Sequence, residues 1–147
     1  MNIKELLEED LGTTLSTFNE PFNYVGRSEL ELDGGQKMIW LYNDEDGILS
    51  VMPDDEELVL FDKVDEALEA EGETILYLNK EYEFSYEDAG KVSVIEGDSV
   101  TEVDDRYMFS DYEAADGRII RLVSNENTGE KGTYFGRVVA EEDLAKI

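Results

Sequence analysis

The sequence predicts a mainly β protein, an antiparallel meander that forms either a barrel or a two-sheet sandwich. From about residue 22 onward, apolar and polar residues alternate with a period of two, the pattern of strands that bury one face. Turn signals such as Asp33-Gly34-Gly35 and Asp116-Gly117 separate these runs at hairpin spacing. No long helical segment lies between the predicted strands, so parallel crossovers are not expected.

The N-terminal segment predicts one short helix before the strands begin. Asn2, with Glu5 three residues later, is the pattern of a capping box. Leu6 and Leu7 fall on one face at helical spacing, and Gly12 is a stop signal. The first element is therefore expected to be a short amphipathic helix.

A single β-rich domain is expected at residues 20–147, preceded by the helix and a connector in residues 1–19. The length of 147 residues suits one domain. The connector itself covers residues 13–21, and further helical turns are predicted at residues 62–71 and 140–147. The predicted strands are residues 23–26, 29–32, 37–42, 48–52, 57–61, 74–78, 81–86, 91–95, 100–103, 106–112, 119–123 and 133–139.

Two segments of the chain resemble each other and indicate an internal duplication. Residues 40–61 and 110–135 each have the pattern of a strand, a tight turn, a strand, a loop and a strand ending in Phe. The pseudo-repeats would span about residues 24–61 and 82–139, although two three-stranded units are also a common way to build a sheet. Both copies contain Tyr-x-x-x-Asp-Gly, and these positions are the candidate binding residues: Tyr42, Asp46, Gly47, Tyr112, Asp116 and Gly117.

The two tyrosines of this motif are expected to occupy equivalent places in a pseudo-symmetric fold. A packing corner is their alternative role, since a buried Tyr hydroxyl needs a hydrogen-bond partner and turn backbone supplies one. The motif therefore predicts either a binding position or a structural corner.

The composition excludes several kinds of catalytic site. The chain has no Cys, which excludes disulfides and Cys-based zinc or iron–sulfur sites. It also has no His, on which neutral-pH acid–base catalysis, the Ser–His couple and most transition-metal sites depend. No catalytic residue, metal site or cofactor is therefore predicted, and only carboxylate chemistry stays open.

The net charge of −26, from 38 acidic and 12 basic residues, bears on the choice of partner. Nucleic acid and anionic membrane surfaces would both repel the chain, so neither is expected to bind it. Salt adaptation, a basic partner and imitation of nucleic acid all stay open as reasons for the acidity. No apolar run reaches the roughly 20 residues of a membrane span, and the charged N-terminus has no signal-peptide core, so a cytoplasmic location is expected.

Aromatic and basic residues outside the repeated motif are expected to have structural roles. Tyr82, Phe84 and Tyr86 alternate along one strand and are predicted to share a core face. Trp40 lies in an apolar run and is predicted to be a core anchor. The arginines, Arg121 among them, are expected to neutralise nearby acidic residues.

A set of Gly and aromatic landmarks carries a resemblance to a known family. These landmarks are the strand with Tyr82, Ile95-Glu96-Gly97, Asp111-Tyr112, Asp116-Gly117 and Phe135-Gly136, with Gly26 and Trp40-Leu41-Tyr42 upstream. From roughly residue 24 to the C-terminus, the chain resembles the bacterial family called domain of unknown function 4178. The resemblance implies a small β-rich bacterial protein without an assigned activity, in the company of envelope-stress proteins, and it supplies no catalytic residue.

Together these observations predict a non-catalytic protein-interaction or scaffolding domain, with an unknown protein partner that is basic or related to envelope stress. Two alternatives stay open. One is an acidic decoy or counter-charge protein for a basic partner, which requires carboxylates concentrated on one face. The other is a carboxylate–metal hydrolase, which requires three or more partly buried carboxylates that converge in a cleft.

Overall fold

A computed structural model describes all 147 residues and shows a mainly β protein, which confirms the predicted class. The elements are α1 (Ile3–Leu7), β1 (Thr14–Thr17), β2 (Glu20–Asn23), β3 (Gly26–Leu32), β4 (Lys37–Tyr42), β5 (Gly47–Met52), β6 (Glu57–Val64), β7 (Thr74–Tyr77), β8 (Lys80–Gly97), β9 (Arg106–Glu113), β10 (Ile119–Asn125), β11 (Lys131–Val138) and β12 (Leu144–Lys146). Short 3-10 turns lie at Pro53–Asp55 and Glu141–Asp143. None of the helical segments has the length and apolar character that a membrane span requires.

Eight antiparallel strands close into a barrel. Their order is β3-β4-β5-β6-β11-β10-β9-β8, and pairing between β3 and β8 joins the two ends. Strands β3 to β6 form one meander and β8 to β11 form another, and the meanders meet at the β3–β8 and β6–β11 seams. Closure pairs the edges that an open sheet would leave exposed. Of the two predicted architectures, the protein therefore has the barrel.

The two ends of the barrel carry different loops. The strand directions place the β4–β5, β8–β9 and β10–β11 loops at one end, which we call the mouth. The β3–β4, β5–β6 and β9–β10 turns lie at the other end, which we call the base. The long β8–β9 loop, residues 98–105, makes the mouth the larger and more irregular end.

The predicted N-terminal helix is confirmed, but the predicted connector at residues 13–21 contains β-strands. The Glu5 N–H donates to Asn2 Oδ1 at 2.8 Å, and the Asn2 N–H donates to Glu5 Oε1 at 3.3 Å, which completes the capping box. The connector holds β1 and the start of β2, which form a three-stranded sheet with β12. Phe18 and Asn19, both with positive φ, join the two strands. This two-residue turn contains no glycine, so the usual sequence signal of such a hairpin is missing.

The helix predicted at residues 62–71 is wrong. Its first three residues continue β6, because they pair with Thr133, Tyr134 and Phe135 of β11. Pairing across the β6–β11 seam thus overrides a local helical pattern. The helical turn predicted at the C-terminus is present only as the 3-10 turn Glu141–Asp143, which β12 follows.

Strand β8 is a single strand of 18 residues, whereas the sequence predicts two strands at residues 81–86 and 91–95. Its first part pairs with β7, its middle with β9 and its last part with β3. The strand predicted at residues 100–103 is wrong, because these residues have no sheet partner and belong to the β8–β9 loop. The long strand connects the outer β7–β8 hairpin with the barrel wall.

A bulge in β8 changes which way its aromatic residues face. The register against β9 shifts between Phe84 and Tyr86. Phe84 packs on Tyr112 outside the barrel, with ring centroids 5.8 Å apart, whereas Tyr86 packs on the interior residue Phe109 at 5.9 Å. The predicted single aromatic face is therefore wrong, since an inserted residue breaks the alternation of a strand.

The buried apolar residues form one cluster inside the barrel and two outside it. The interior cluster includes Trp40 and Phe61. A second cluster, which includes Leu15, packs α1 and the three-stranded sheet on the outer face of β4, β5 and β6. A third packs β7 on the outer face of β9 and β10, through Ile75 and Ile120. Along the barrel strands, successive residues therefore point alternately into the interior cluster and into an outer cluster.

The two copies of the Tyr-x-x-x-Asp-Gly motif do not occupy equivalent positions in the two hairpins that contain them. In the first hairpin the Asn43 N–H donates to the Gly47 carbonyl, and in the second the Ala114 N–H donates to the Arg118 carbonyl. These turn hydrogen bonds align Gly47 with Arg118, whereas the motif aligns Gly47 with Gly117, so the two alignments differ by one residue.

This shift has a direct effect on the two tyrosines. A slip of one residue moves a strand side chain to the other face. Tyr42 accordingly belongs to the interior cluster and Tyr112 to an outer one. The prediction that they occupy equivalent places is wrong, and the duplication itself stays a prediction.

Candidate functional site

The mouth of the barrel contains a cavity of about 300 Å³ that opens to solvent. Small-molecule sites range from about 300 to 1,000 Å³, so this cavity suits a small ligand. Inward-facing residues of β4, β5, β6, β9, β10 and β11 line it, together with residues of the three mouth loops.

Aromatic side chains form much of the cavity wall. These residues are Trp40, Tyr42, Phe61, Tyr107 and Tyr134. Trp40 and Tyr107 pack edge to face, with ring centroids 5.6 Å apart. Each ring sits at an inward position of a paired strand, so the wall is already formed in the protein without a ligand.

The indole Nε1–H of Trp40 is buried and has no hydrogen-bond partner in the protein. The cross-strand neighbours of Trp40 are Ser28 and Ser50, but their hydroxyls bond to Tyr42 and Arg121. Buried Trp N–H groups usually have a partner, and an unsatisfied one costs about 1–3 kcal/mol. Although other atoms of the Trp40 side chain line the cavity, this nitrogen itself is enclosed by protein and has almost no accessible surface.

Tyrosine hydroxyls add polar groups to the aromatic wall. The Tyr42 hydroxyl lies 2.7 Å from Ser28 Oγ, and the Tyr107 hydroxyl accepts a hydrogen bond from Asn125 Nδ2 at 3.2 Å. Burial raises the pKa of Tyr42 and Tyr134, and it raises the pKa of Tyr107 to about 12. All three hydroxyls therefore stay protonated at neutral pH and keep an O–H donor.

A buried ion pair supports the inner part of the cavity. Arg121 Nε donates to Asp111 Oδ1 at 2.6 Å, and Nη2 donates to Asp111 Oδ2 at 2.8 Å. Nη1 donates to Ser50 Oγ at 2.9 Å. The guanidinium lies between the rings of Phe61 and Phe109, with its carbon 4.4 and 4.7 Å from their centroids. The sequence prediction that Arg121 neutralises an acidic residue is confirmed.

The other charged residues of the lining lie closer to solvent. Lys63 lines the cavity from the same strand face as Phe61, and Lys131 lines it at the start of β11. Neither lysine is in an ion pair. The acidic residues of the lining lie in or beside the mouth loops and are Asp46, Asp98 and Glu130.

The six residues of the repeated motif are divided between this cavity and the far side of the molecule. Those that line the cavity are Tyr42, Asp46 and Gly47. Those that lie on the outer face or at the base are Tyr112, Asp116 and Gly117. Asp116 pairs there with Lys80, whose hydrogen bond lowers the pKa of the carboxyl. The structure thus brings one half of the predicted site to the cavity and leaves the other half away from it.

Sequence reasoning missed most of the cavity. It predicts Trp40 as a core anchor and assigns no cavity role to Lys63, Tyr107, Arg121 or Tyr134. Each is a single inward residue on a different strand, and whether such residues fill a barrel or line a cavity depends on strand tilt and stagger. One signal was present in the sequence, because Arg121 places a charge within the apolar strand predicted at residues 119–123, where an unpaired charge is costly.

No group of three or more acidic side chains is arranged to hold a metal ion. The carboxylate–metal hydrolase considered above requires such a group in a cleft.

The fold and the cavity together define a class of protein, a closed eight-stranded antiparallel barrel with an aromatic-lined cavity at one end. No protein-family model, no curated protein and no solved structure matches the chain. The resemblance to domain of unknown function 4178 stays a prediction, and the function has to be inferred from the cavity itself.

Proposed function

We propose that the protein is a non-catalytic binding module that holds a small, partly apolar molecule inside its barrel. The observation that carries the proposal is the aromatic-lined cavity of about 300 Å³ that opens at the mouth of the barrel.

The form of the cavity supports a small ligand. Small-molecule sites are mostly apolar clefts with a few placed polar groups, and eight-stranded barrels are wide enough to hold one small molecule. Here the rings of Phe61, Tyr107 and Tyr134 supply the apolar surface, and Ser99, Thr101 and Asn125 add polar groups to the lining.

The interior also supports binding rather than chemistry. The one acidic residue that is fully inside the barrel wall, Asp111, has both carboxylate oxygens bonded to Arg121. Asp111 is also 5% exposed and is not among the residues that line the cavity, so it does not face a bound molecule. With no His or Cys in the chain, the usual nucleophile and base pairs are also excluded.

The test uses the fact that Trp40 is the single Trp of the chain, so that tryptophan fluorescence reports on the cavity alone. Titration with the neutral probe N-phenyl-1-naphthylamine is expected to quench Trp40 emission and to saturate, with a Kd below about 100 μM. In the Val123→Phe variant the added ring occupies the cavity, and the Kd is expected to rise at least about tenfold, which corresponds to about 1.4 kcal/mol of lost contacts.

Val94→Phe is the matched control. Val94 lies on β8 and is 40% exposed on the outside of the barrel. The same substitution there leaves the cavity unchanged, so its Kd should equal that of the wild type. Quenching that is equal in all three proteins would place the probe outside the barrel and would contradict the proposal.

Interaction with a protein partner is a second candidate function, and the β7–β8 hairpin favours it. Leu76 and Leu78 are 67% and 79% exposed there, and Leu78 has a positive φ of 51°. Leu78 and Asn79, both with positive φ, form the two-residue turn of this hairpin, which places Leu78 at its tip. The net charge of −26 favours a basic partner for such a surface.

The double variant Leu76→Lys, Leu78→Lys tests this second function. Both side chains point to solvent, so the variant is expected to fold with the stability of the wild type. Co-purification under identical tags is expected to recover a stoichiometric partner with the wild type and to lose it with the variant. A partner retained equally by both proteins would remove the hairpin from consideration.

A further inference from the structure

We infer that the open edge of β7 takes up an extended, basic segment of a partner protein as an added strand. This inference rests on the second candidate function, interaction through the β7–β8 hairpin, and adds the binding mode and the chemical class of the partner to it. Three features lead to it: free backbone groups on the edge, an apolar groove beside them, and the acidic residues around both.

Strand β7 lies outside the closed barrel and has an open edge. It is the last strand of its sheet and pairs only with β8. Its four residues, TILY, include no charged residue and no Pro, which are the usual means of protecting an exposed edge from added strands. The edge is therefore open to pairing with another chain.

The backbone of Leu76 supplies the hydrogen-bonding groups of this edge. The Phe84 N–H donates to the Glu73 carbonyl, and bonded and non-bonded positions alternate along an antiparallel ladder. The N–H and C=O of Leu76, three positions further on, therefore point away from β8. Those of Thr74 point the same way and are bonded to the backbone of Glu71. Leu76 thus offers one donor and one acceptor to an added strand.

An apolar groove of about 320 Å³ lies beside the edge. Tyr77 and Leu78 line it from β7 and the hairpin turn, and Val64 and Phe135 line it from β6 and β11. Successive side chains of an extended segment point to opposite faces. A segment bonded to the Leu76 backbone can therefore place apolar side chains towards the groove and leave the others in solvent.

The charge around the edge favours a basic segment. Residues 65–73, which lead into β7, include five acidic residues and no basic one, and all five are exposed and outside the ion pairs of the protein. On β8, Glu81 lies directly opposite Leu76, and Glu83 follows two residues later. Lysine or arginine side chains of an added strand would find carboxylates on both sides of it.

The same charge argues against a second copy of this chain on the edge. Two copies paired through β7 would bring their acidic residues 65–73 together, and like charges on neighbouring strands are destabilising. The one basic residue between positions 65 and 83 is Lys80, which is already paired with Asp116. The partner therefore has to bring the positive charge.

Fluorescence anisotropy with labelled peptides tests the inference. The probe is a rhodamine-labelled octapeptide of alternating lysine and valine, titrated at physiological salt and expected to bind with a Kd below about 100 μM. The matched octapeptide of alternating glutamate and valine is expected to bind at least about tenfold more weakly. A basic peptide that does not bind, or an acidic one that binds equally well, would overturn the inference.

Two N-methylated forms of the basic peptide distinguish strand addition from simple attraction of charge. Alternate N–H groups of a strand point to opposite edges, so methylation of every valine nitrogen and of every lysine nitrogen blocks opposite edges. One form should bind like the parent peptide, and the other at least about fivefold more weakly, since it cannot donate to the Leu76 carbonyl. Equal affinities of the two forms would rule out an added strand.

The Leu76→Pro variant removes the edge donor from the protein. Its N–H points away from β8, so no hydrogen bond of the hairpin is lost, and Pro is tolerated at such edge positions. Leu76→Thr is the matched control, because it removes the same side chain and keeps the N–H. The Kd of the basic peptide should be at least about threefold higher for the Pro variant than for the Thr variant. Equal Kd values in two proteins with the same denaturation midpoint would contradict strand addition.

The double variant Leu76→Lys, Leu78→Lys separates this inference from the function on which it rests. If it loses its co-purified partner while the Pro and Thr variants bind the peptide alike, the hairpin stays an interaction surface and only the added strand is wrong. If it keeps the partner, the interaction function fails and the inference fails with it. Sedimentation of the wild type as a dimer, and of the double variant as a monomer, would make a second copy the occupant and overturn the inference.

Discussion

Replacement of Asp111 by Ala is expected to destabilise the protein by about 3–5 kcal/mol. The substitution leaves Arg121, which is 4% exposed, with its charge buried and without a carboxylate partner. Ser50 Oγ and the rings of Phe61 and Phe109 remain as its neighbours, but none of them carries a negative charge. An uncompensated buried charge is one of the few mechanisms that produce an effect of this size.

Denaturation in guanidinium chloride, followed by far-UV circular dichroism, measures this loss as a lower transition midpoint. The control is Asp116→Ala, which removes an exposed ion pair with Lys80 and is expected to change the midpoint little. A midpoint for Asp111→Ala close to that of the control would mean that water or a counterion replaces the carboxylate. The buried ion pair would then contribute no more to stability than the exposed one.

The double variant Asp111→Leu, Arg121→Met separates the cost of an unpaired charge from the value of the pair. Apolar replacements of similar volume often restore the stability that a buried ion pair provides, because two charges no longer need to leave water. We expect the double variant to recover most of the loss seen in Asp111→Ala. The ion pair would then be important chiefly for the polar character of the cavity, and less for the stability of the barrel.

The strands were the part of the fold that local patterns predicted well. β4 has the predicted bounds, residues 37–42, because it is a short apolar run, buried on both faces, and a Gly-containing turn precedes it. The errors occur where a distant partner decides the conformation. Residues 62–64 extend β6 because β11 pairs with them, and residues 15–17 pair with β12 in addition to the neighbouring strand β2. The pairings with β11 and β12 join residues that are 69 to 131 positions apart in the chain, and no local period encodes them.

The cavity was harder to predict than the fold, for a related reason. Apart from the residues of the mouth loops, its residues are inward positions spread over six strands, and each of them resembles an ordinary core residue when its strand is considered alone. Tyr42, Asp46 and Gly47 were found through a motif whose second copy is shifted by one residue in its hairpin, so the motif identified these three cavity residues for a reason that does not hold at Tyr112. Closure of the barrel is what brings these positions together, and closure depends on the β3–β8 seam.

The second large effect is expected at the β3–β8 seam, because the close approach of the chain there requires a glycine at position 26. Gly26 pairs with Gly97 at the mouth end of β3 and β8. A Cβ atom at Gly26 would lie 1.7 Å from the carbonyl oxygen of Asp98 and 2.5 Å from its carbonyl carbon. These are backbone atoms, which cannot rotate away as the end of a flexible side chain does. Gly26→Ala therefore requires the chain at Asp98 to move.

The expected loss of stability for Gly26→Ala is about 3 kcal/mol, at the upper end of what overpacking usually costs. Movement at Asp98 also disturbs the hydrogen bond from its N–H to the Val25 carbonyl, which is 3.0 Å long and anchors the β8–β9 loop. Asp98, Ser99 and Thr101 of this loop line the cavity, so the affinity for N-phenyl-1-naphthylamine should fall together with the stability.

Gly34→Ala is the control for this substitution. A Cβ atom at Gly34, in the β3–β4 turn at the base, would meet no atom within 4 Å. The same change there is expected to leave both the denaturation midpoint and the probe affinity within error of the wild type. Should Gly26→Ala behave like Gly34→Ala in both measurements, the β3–β8 seam would be looser than this close approach implies. The mouth loop would then have to be held in place by contacts other than the backbone at Gly26.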